Sequence, residues 1–554
     1  MRIGIDVGGT NTDAVLMDGA TVVSSAKTPT TANVSEGIAT AMRRVIADTG
    51  IDTAAIDGVM IGTTHFTNAV VERKRLTPTA CIRLGLPATV CLPPMVDWPH
   101  DLRELVGGNS HLAHGGHEFD GREISAYQPA EVRNIAAKIR DAGLDAIAIS
   151  SVFSPVNATF EEQTADIVRE VIPDANITLS SEIGRIGLLE RENAAIMNSC
   201  LRGLAARTVD GFEAALDELQ IRAPFYISQN DGTLMNADFA KEYPVLTFAS
   251  GPTNSMRGAA FLSGLRDAIV VDVGGTTTDI GVLQQGFPRP AALAVDIGGV
   301  RTNFRMPDTY SIGLGGGSVI SPHPRSLPQK GGGTSTTKNS PSLLVGEGAG
   351  GWGQIKVGPQ SVGYELTSKA LVFGGDILTA TDVIVAGGWE AIGAAGAVSG
   401  LDADLVAAVR ARIMEMIAIA VDRMKTSATP VPVIVVGGGS ILVTGDIEGA
   451  SEIIKPDNFP VANAIGAAIA QVGGECDRIF SLAEMSRDAA LDQAKAEASE
   501  RAVNAGADPG SIEIVDVEEV PLAYLPGNAT RIMVKAIGDL VAAPPSAPPM
   551  NGGK

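Results

Sequence analysis

The chain has 554 residues, of which 45% are hydrophobic and 64 are glycine, and its formal net charge at pH 7 is −21. This length is too great for a single hydrophobic core, so we expect at least two domains, and many glycines with few aromatic residues favour an α/β protein with tight turns. The negative charge opposes binding to nucleic acid or to anionic membranes, because both depend on clustered Lys and Arg.

Membrane and secretion signals are not evident in the sequence. No apolar run is long enough to span a bilayer, and the chain enters a strand at Ile3 without a signal-peptide pattern, so we expect a soluble, cytoplasmic protein. The cysteines lack CxxC spacing, and we expect them to be free and mostly buried thiols. They are Cys81, Cys91, Cys200 and Cys476.

The first predicted element is a strand that runs into a glycine turn, in the stretch IGIDVGGTNTD at residues 3–13. Glycines let the backbone approach a ligand closely, and consecutive turn amides form a concavity that suits phosphate oxygens. Threonine hydroxyls add neutral donors, and a carboxylate at the strand end can hold a hydrated divalent cation. The candidate residues are Asp6, Gly8, Gly9, Thr10, Asn11, Thr12 and Asp13.

A hairpin, a helix and a strand follow this loop. The hairpin turns at an Asp-Gly pair, and apolar spacing predicts a helix from Ser35, its N-cap, to Thr49. The strand over 58–64 ends in small and hydroxyl residues and leads through Asn68 into another helix.

Residues 84–123 are rich in Pro, Gly and His and show no long period, so we treat them as an irregular excursion. His111, His114 and His117 lie three residues apart, which on a helix would form a metal-binding face. Two glycines interrupt that spacing, and a loop without metal is the favoured interpretation.

The chain then alternates helices and strands. The predicted elements are a helix over 129–142, strands over 146–152 and 176–181, a helix over 186–203 and a strand over 225–228. The last strand ends in the turn QNDG at 229–232, which contains Asn230. The segment at 247–255 begins another helix, and a helix N-terminus with Ser250 and Gly251 can face an anion, each such placement being worth roughly 0.3–1 kcal/mol.

The stretch VVDVGGTTTDI at residues 270–280 repeats the pattern of the first loop. One copy is weak evidence, because glycine-rich hairpins are common, but duplication after two apolar strands predicts two loops that hold one polyphosphate from both sides. Asp6 and Asp272 are then the candidate Mg²⁺ ligands. The candidates in the second loop are Asp272, Gly274, Gly275, Thr276, Thr277, Thr278 and Asp279.

Two further glycine clusters follow later apolar stretches. One is GLGGGS at 313–318, with Gly315 and Gly316, and the other is GGGS at 437–440. The residues of the latter are Gly437, Gly438, Gly439 and Ser440. Between the clusters, residues 321–353 are dense in Gly, Pro, Ser and Thr, which predicts a mobile flap or a partner contact, with simple disorder as the alternative.

The C-terminal part is predicted to be a small α+β appendix over 476–541. Its predicted elements are a helix over 482–504 and strands over 511–517 and 530–534. The proline-rich tail at 542–554 is disordered by composition.

The paired loops resemble those of the actin, Hsp70 and sugar kinase superfamily. More narrowly, the chain resembles the ATP-dependent hydantoinase/oxoprolinase family, alpha subunit type, through motifs in the same order across most of residues 1–475. These motifs include GTTHFTNA at 62–69, QNDG at 229–232, SGP at 250–252, GLGGGS at 313–318 and TATD at 379–382. The resemblance implies an α/β fold with two actin-like (RNase H-like) lobes around a nucleotide cleft, over 1–198 and 199–475, plus the appendix.

The resemblance also implies roles for individual residues. Asp6, Asp13, Asp272 and Asp279 become the catalytic candidates, and Gly437–Gly439 with Ser440 the adenosine contact. The implied cleft residues are Thr63, Thr64, Asn68, Asn230, Ser250 and Gly251, with a capped helix at a strand end as an equal interpretation of the first three. The family pattern is also kept at Ser181, Glu182, Arg191 and Asn198. Arg191 and Glu190 are either catalytic or, slightly preferred, a solvated ion pair.

The implied activity is the ATP-dependent opening of a cyclic amide such as a hydantoin, a lactam or 5-oxoproline. ATP and Mg²⁺ are the implied cofactors, and a separate beta-type subunit is the implied partner in a hetero-oligomer. Three alternatives stay open: a subunit of a ketone carboxylase, a sugar kinase, and a chaperone or filament protein that uses ATP as a conformational switch.

Overall fold

A computed structural model describes residues 1–8, 11–30, 34–291, 295–303, 306–322, 355–523 and 527–540. By compactness the chain forms two units. The first unit is Met1–Ala268, Gly281–Thr309 and Val461–Lys554, and the second unit is Ile269–Ile280 and Tyr310–Pro460. In this division residues 199–268 and 281–309 belong to the first unit together with residues from 461 onwards, whereas the predicted boundaries lie after 198 and 475.

The predicted α/β class is confirmed by the element order. The strands are β1 (Arg2–Val7), β2 (Asn11–Asp18), β3 (Thr21–Pro29), β4 (Gly58–Thr63), β5 (Thr79–Leu86), β6 (Asn109–His114), β7 (Ala146–Ser151), β8 (Asn176–Leu179), β9 (Phe225–Ser228), β10 (Leu234–Asn236), β11 (Ala268–Val273), β12 (Thr278–Gln284), β13 (Phe287–Pro288), β14 (Val295–Ile297), β15 (Val300–Thr302), β16 (Thr309–Ile312), β17 (Ser318–Pro322), β18 (Ile355–Ser361), β19 (Val431–Val436), β20 (Ala450–Ile454), β21 (Val472–Ser481), β22 (Glu513–Pro521) and β23 (Ala529–Gly538). The helices are α1 (Val34–Thr49), α2 (His65–Val71), α3 (His100–Val106), α4 (Pro129–Asp141), α5 (Thr159–Val171), α6 (Ser180–Ile183), α7 (Leu188–Glu218), α8 (Ala237–Glu242), α9 (Ser250–Ser263), α10 (Leu366–Lys369), α11 (Ala380–Ala386), α12 (Ala403–Met424), α13 (Ala462–Ile469) and α14 (Arg487–Asn504).

The first unit is built on a nine-stranded sheet with the order β22-β23-β21-β10-β9-β4-β1-β2-β3. Its central strands β1 and β4 are parallel and almost wholly buried, which is why both appear in the sequence as apolar runs without alternation. The strand β2 returns antiparallel beside β1, so the first glycine turn joins two neighbouring strands at the sheet edge where β1 ends. The predicted hairpin, the helix α1 and the strand β4 are confirmed.

A second sheet in the first unit has the order β6-β5-β7-β8, and all its strands are parallel. The prediction of an irregular excursion at 84–123 is therefore wrong, because these residues supply the end of β5, the helix α3 and the strand β6. Each of these elements has only six to eight residues, which is too short to produce a long hydrophobic period.

The second unit contains a sheet in which β11, β19 and β20 run parallel and β12 lies on the other side of β11. The long helix α12 and the short helix α11 pack against each other. The strands β17 and β18 form a hairpin on either side of the predicted flap. Except for Ser321 and Pro322 in β17, the flap at 321–353 lies outside the described residues, as does the tail at 542–554.

The predicted helix and strands of the C-terminal region are present, and the strands extend the nine-stranded sheet of the first unit. The strand β21 pairs with β10 and with β23, and so joins the nine-stranded sheet of the first unit. The helix α14 covers this extension through Ala490, Ala494, Ala498 and Ala502, which are spaced by four residues and fully buried. Among the described residues, we find no helix that is both long and apolar enough to cross a bilayer.

Candidate functional site

The first glycine turn is closed by a hydrogen bond from the Gly8 amide to the Asn11 carbonyl, at 3.0 Å. Antiparallel pairing of β1 with β2 sets Asp6 directly opposite Asp13. Gly9 and Thr10 lie outside the described residues. Thr12 is buried, and its hydroxyl lies 3.3 Å from the Thr30 hydroxyl, so its role as a phosphate donor stays a prediction that this contact disfavours.

Side-chain amides connect the two carboxylates. The Asn463 amide nitrogen donates to Asp6 Oδ2 at 3.0 Å and to Asp13 Oδ2 at 2.9 Å. The Asn254 amide donates to Asp6 Oδ1 at 3.3 Å. The Lys27 ammonium lies 2.6 Å from Asp13 Oδ1. The network therefore gives a cation to Asp13 and only neutral donors to Asp6.

The charge on Asp6 is poorly compensated. Its side chain is 4% exposed, and burial together with the Asp13 carboxylate raises the pKa of Asp6 to about 6, against the lowering effect of the two amides and of Lys27. Among the described residues, no cation forms an ion pair with Asp6. The side-chain amide oxygen of Asn254, Oδ1, is buried and has no hydrogen-bond partner among those residues. A carboxylate and an unused oxygen acceptor at the end of a strand fit a hydrated divalent cation.

Space beside Asp6 depends on a glycine in the neighbouring strand. Parallel pairing of β1 with β4 sets Asp6 beside Gly62. A Cβ atom at Gly62 would lie 2.4 Å from Asp6 Oδ1 and 2.3 Å from the Asn254 amide nitrogen. No larger residue fits there without moving the carboxylate.

The predicted cleft residues after β4 form a network that fixes the ends of the strands. The Thr64 hydroxyl donates to the Val7 carbonyl at 3.3 Å, and the Asn68 amide donates to the Thr64 hydroxyl at 3.4 Å. The buried Ser250 hydroxyl donates to the Thr63 carbonyl at 3.2 Å, which ties the start of α9 to β4. The side chain of Asn68 is exposed and remains accessible to a ligand.

Two further cleft candidates have mainly structural contacts. The Thr253 hydroxyl donates to the Asn230 carbonyl, and the buried Asn230 side chain contacts the sulfur of Met306. Asn230 also lines a cavity of about 400 Å³. Gly251 lies in the first turn of α9, where a Cβ atom would meet only ordinary van der Waals contact with Thr64.

The second glycine turn has the same closure as the first. The Gly274 amide donates to the Thr277 carbonyl at 2.8 Å, at the position that corresponds to the Gly8 bond. Asp272 stands near the end of β11 as Asp6 stands near the end of β1. The duplication that the sequence shows therefore extends to the closing hydrogen bond and to the place of the carboxylate near the strand end.

In the second unit the two later glycine clusters pack against this turn. The Gly316 amide donates to the Gly274 carbonyl at 3.0 Å, and the Gly317 amide donates to the Gly275 carbonyl at 2.8 Å. The Gly439 amide donates to the carbonyl of the residue after Asp272 at 2.7 Å. Three glycine segments that are distant in sequence thus meet at one strand end.

The close approach of the cluster at 437–440 to Asp272 requires a glycine at position 437. Gly437 has a φ of +86°, and a Cβ atom there would lie 2.2 Å from Asp272 Oδ1. Gly438 is exposed, whereas Ser440 is buried and its hydroxyl has no hydrogen-bond partner among the described residues. An exposed backbone turn beside an unused hydroxyl donor fits the binding of a polar ligand such as a nucleotide.

The hydroxyls of the second turn differ in availability. Thr276 is half-buried and Thr277 is exposed, so both remain candidates for phosphate contacts. Thr278 is buried and donates to the Leu314 carbonyl at 2.7 Å, so its role as a phosphate donor stays a prediction that this bond disfavours. The Ser311 hydroxyl donates to Asp279, and burial raises the pKa of that carboxyl. The Thr278 hydroxyl is therefore bound by the glycine cluster at 313–318, and Asp279 is bound by Ser311 of β16.

The preferred interpretation of Arg191 as a solvated partner of Glu190 is wrong. Arg191 is fully buried on α7 and donates to the carbonyls of Ser151, at 2.6 Å, and Arg185, at 2.8 Å. Burial lowers the pKa of Arg191 to about 10. Glu190 instead lies 3.7 Å from Arg301. Arg191 holds the chain between β7 and α7 in place.

The other residues of that family pattern also have structural partners. The Ser181 amide and hydroxyl donate to Glu161, at 3.0 and 2.8 Å. Glu182 accepts from the Tyr243 hydroxyl at 3.0 Å. The buried Asn198 amide donates to the Glu242 carbonyl at 2.8 Å.

The predicted thiols and histidines occupy ordinary structural positions. All four cysteines are free, and all but Cys91 are buried. His111 and His114 lie on the strand β6 and not in a loop, and His117 stacks on Phe160. In the described part of the chain, no group of three or more His, Cys, Asp or Glu side chains is arranged to hold a metal ion.

Sequence reasoning missed three residues of the first site: Lys27, Asn254 and Asn463. The two asparagines are separated from Asp6 by 248 and 457 positions. Asn254 follows the SGP motif at 250–252, whereas Asn463 lies outside the motifs that carry the resemblance. The sequence contains no signal for Asn463, because an amide has no spacing rule that links it to a distant carboxylate.

Comparison with known proteins places the chain in a family. Family profiles described as the hydantoinase/oxoprolinase N-terminal region and as hydantoinase/oxoprolinase match residues 2–172 and 191–389. The chain is 26% identical over 456 residues to the caprolactamase subunit alpha of Pseudomonas jessenii, covering 76% of this chain and 60% of that protein. It is 26% identical over 347 residues to the acetophenone carboxylase gamma subunit of Aromatoleum aromaticum, covering 57% of this chain and 47% of that protein.

A solved structure shows the same fold. The crystal structure of the ATP-dependent caprolactamase from Pseudomonas jessenii matches 99% of this chain and 89% of that chain, with a TM-score of 0.74 and 20% identity. This likeness agrees with the expected actin-like lobes. The chain spans 60% and 47% of the length of the two sequence relatives. On the two family profiles and the motifs that they cover, the chain belongs to the hydantoinase/oxoprolinase family.

Proposed function

We propose that this chain is an ATP-dependent amidohydrolase subunit that activates a cyclic amide, such as a hydantoin, a lactam or a 5-oxoproline-like ring. The observation that carries the proposal is the meeting of three glycine segments at the end of β11, where Gly437 leaves room for Asp272. Such a glycine-lined strand end lets backbone amides approach phosphates closely. Membership of the family and likeness to a caprolactamase subunit support a cyclic amide as the substrate class.

Nucleotide binding in the second unit is assigned to its glycine turns. The amide of Gly275 and the hydroxyls of Thr276 and Thr277 contact phosphate oxygens, while the Gly274 amide closes the turn. The exposed turn at Gly438 and the unused hydroxyl of Ser440 contact the adenosine. In the first unit, the turn closed by Gly8 takes the corresponding role for phosphate.

Asp6 in the first unit and Asp272 in the second unit are each a candidate ligand for Mg²⁺. Asp6 supports this assignment because its carboxylate is buried beside neutral amides and an unused acceptor on Asn254. Transfer of the γ-phosphoryl group of ATP to the amide carbonyl oxygen would release ADP and the N–H proton and make the carbon more electrophilic, because an unmodified amide carbonyl is a poor electrophile. Attack of water at that carbon would then allow the C–N bond to break, with the ring nitrogen leaving as the protonated amine and the resulting acyl phosphate hydrolysed to carboxylate and phosphate. The protein residues contribute positioning and charge stabilisation.

A separate beta-type subunit completes ring opening in this proposal. Both sequence relatives are named as subunits, and the chain spans 60% and 47% of their length. The described residues contain no cluster arranged to hold a hydrolytic metal ion. The expected assembly is a hetero-oligomer.

The test is phosphate release from ATP and Mg²⁺ by the purified chain, with and without the protein encoded beside it, across a panel of hydantoins, lactams and 5-oxoproline. We expect one ring class to stimulate release and to be opened only when both chains are present. Hydrolysis of the ring by the single chain would contradict the need for a partner. A flat response to every ring would overturn the assignment and favour a nucleotide-driven switch.

A ketone carboxylase subunit is the second candidate, because the chain is also similar to the acetophenone carboxylase gamma subunit. The same residues would then activate a ketone. Phosphate release that ignores every ring and responds to a ketone together with bicarbonate would establish this alternative.

A further inference from the structure

The amide of Asn463 is shared between the two carboxylates of the first loop. Its nitrogen has two hydrogens, and it donates to Asp6 and to Asp13 at 3.0 and 2.9 Å. Its oxygen accepts from the backbone amide of Ala464 at 2.9 Å, which fixes the orientation with the nitrogen towards the acids. One side chain therefore sets the separation of both carboxylates.

The position of this amide is determined by the packing of its helix. Asn463 is the second residue of α13. The helix is anchored to β2 by an apolar cluster in which Ile465 and Ala468 pack with Val15 and Met17. Because β2 also carries Asp13, the helix and the two carboxylate strands form one packed element.

The two carboxylates differ in how much of their bonding capacity the protein already uses. Asp13 has one oxygen against the Lys27 ammonium, at 2.6 Å, and the other against Asn463. Asp6 has one oxygen against Asn463 and the other at 3.3 Å from the Asn254 amide. The charge of Asp13 is thus compensated by the Lys27 ammonium. Asp6 instead has neutral donors, with the unused side-chain oxygen Oδ1 of Asn254 beside it.

We propose that Asn463 is a positioning residue that clamps Asp6 and Asp13 together, with Asp13 as the anchor that holds Lys27 and the amide, and Asp6 as the carboxylate presented to a divalent cation. The clamp keeps the Lys27 ammonium on Asp13, where it does not compete with a cation for Asp6. This inference rests on the proposed function, because it takes ATP with Mg²⁺ as the ligand of the loop. It removes Asp13 from the catalytic set and adds Asn463 in a supporting role.

The experiment measures Mn²⁺ binding by electron paramagnetic resonance, with the full chain and a non-hydrolysable ATP analogue. In Asn463→Ala we expect Mn²⁺ affinity to fall about 10–100-fold, the usual effect of losing a group that orients a metal ligand. Affinity for the analogue without metal should stay unchanged. Alanine is a good helix former, so α13 should persist. A loss of Mn²⁺ affinity of no more than about twofold would overturn the proposal, because such a loss is well below the expected one.

A matched control separates positioning from general destabilisation. Asn193 is also buried and also uses its amide twice, accepting from Trp98 and donating to the Arg301 carbonyl, but it lies on α7 outside the site. Asn193→Ala should leave Mn²⁺ affinity unchanged. An equal loss in both variants would show a structural role only, and would overturn the positioning role.

Isosteric variants of the acids test the division of roles. Asp6→Asn should abolish Mn²⁺ binding, and Asp13→Asn should reduce it less, because the introduced amide keeps an oxygen that accepts from Asn463. Equal loss in both would make Asp13 a ligand and overturn the assignment. Wild-type protein that binds Mn²⁺ with nucleotide but responds to no ring would contradict the proposed function alone, while absence of any binding would overturn both.

Discussion

The two glycine turns share a closing hydrogen bond and differ in their surroundings. Both are closed by the same type of amide-to-carbonyl bond, from Gly8 in the first unit and from Gly274 in the second. In the first unit the neighbours are charged or amide side chains, with Lys27 and Asn463 against the acids. In the second unit the neighbours are the backbones of two further glycine clusters.

Under the proposed function both turns contact phosphate, and this difference adds a distinct contribution from the surroundings of each turn. A turn surrounded by amides and an ammonium controls the charge of carboxylates, which suits the handling of a cation. A turn surrounded by glycine backbone gives close access to a ligand, which suits phosphates and ribose. The repeat thus predicts two turns with the same closing bond, and we expect their neighbours to distinguish their roles.

The largest expected effect comes from removing the second-unit carboxylate. Asp272→Ala should abolish ATP turnover, with a loss of at least about 10²–10³ in kcat, because a preorganised electrostatic group is lost. The fold should persist, which circular dichroism and the unfolding midpoint would check. Undiminished phosphate release by this variant would break the parallel between Asp6 and Asp272.

The charge environment of the first turn predicts a pH dependence of stability. Because burial raises the folded-state pKa of Asp6 to about 6, above its ordinary value of 3.8, the folded protein holds an extra proton between those pH values. The free energy of unfolding should therefore fall as pH rises through that window, by up to about 3 kcal/mol at about 1.36 kcal/mol per pKa unit. Urea titrations in EDTA between pH 4 and 7 measure this slope.

Asp6→Asn is the control for that slope. The variant removes the titrating group. Its absolute free energy of unfolding can also change, because an amide replaces a carboxylate that accepts from two amide donors, but that change is independent of pH. Its free energy of unfolding should change less between pH 4 and 6 than that of wild type. Identical slopes in the two proteins would assign the pH dependence to other groups.

Both site carboxylates lie beside a glycine of the neighbouring parallel strand or its end, Gly62 for Asp6 and Gly437 for Asp272. Gly437→Ala places a methyl group 2.2 Å from Asp272 Oδ1 and strains a backbone with a φ of +86°. We expect ATP turnover to fall about 100-fold, as for an ångström-scale displacement of a functional group. Gly62→Ala should also impair turnover, through crowding of Asp6 without backbone strain.

Gly374 provides the matched control in the second unit. Its φ is +88°, and a Cβ atom there would meet nothing within 4 Å. Gly374→Ala therefore carries the backbone strain of Gly437→Ala without its clash, and should lose stability by about 1–2 kcal/mol while keeping ATP turnover. Equal loss of turnover in both variants would show that strain, and not displacement of Asp272, is responsible.

Much of this arrangement was accessible from sequence, because strands and glycine turns are encoded locally. The apolar runs before Asp6 and Asp272 predicted β1 and β11, and the repeated glycines predicted two equivalent turns. Non-local features were not accessible. The Asn463 amide reaches Asp6 across 457 positions, and the strand β21 joins the main sheet only through β10.

Local interpretation also failed where packing decides which side chains remain available. Thr12 and Thr278 carry the same hydroxyl as Thr277, and only burial distinguishes them. Arg191 and Glu190 look like a surface ion pair in sequence, but α7 buries the arginine and leaves the acid to another partner. Whether a side chain is accessible to a ligand depends on the packing of the whole chain, and the neighbouring residues in the sequence do not reveal it.

The smallest expected effect tests that availability directly. Thr277→Val removes an exposed hydroxyl of the second turn, and should weaken ATP binding by about 0.5–1.5 kcal/mol, the usual value of one hydrogen bond. Thr12→Val removes a buried hydroxyl that faces Thr30, and should affect stability with little change in ATP affinity. Calorimetric titration with a non-hydrolysable ATP analogue measures both. If Thr12→Val weakens binding as much as Thr277→Val does, the hydroxyls of the two turns act alike, and the difference in surroundings does not divide their roles.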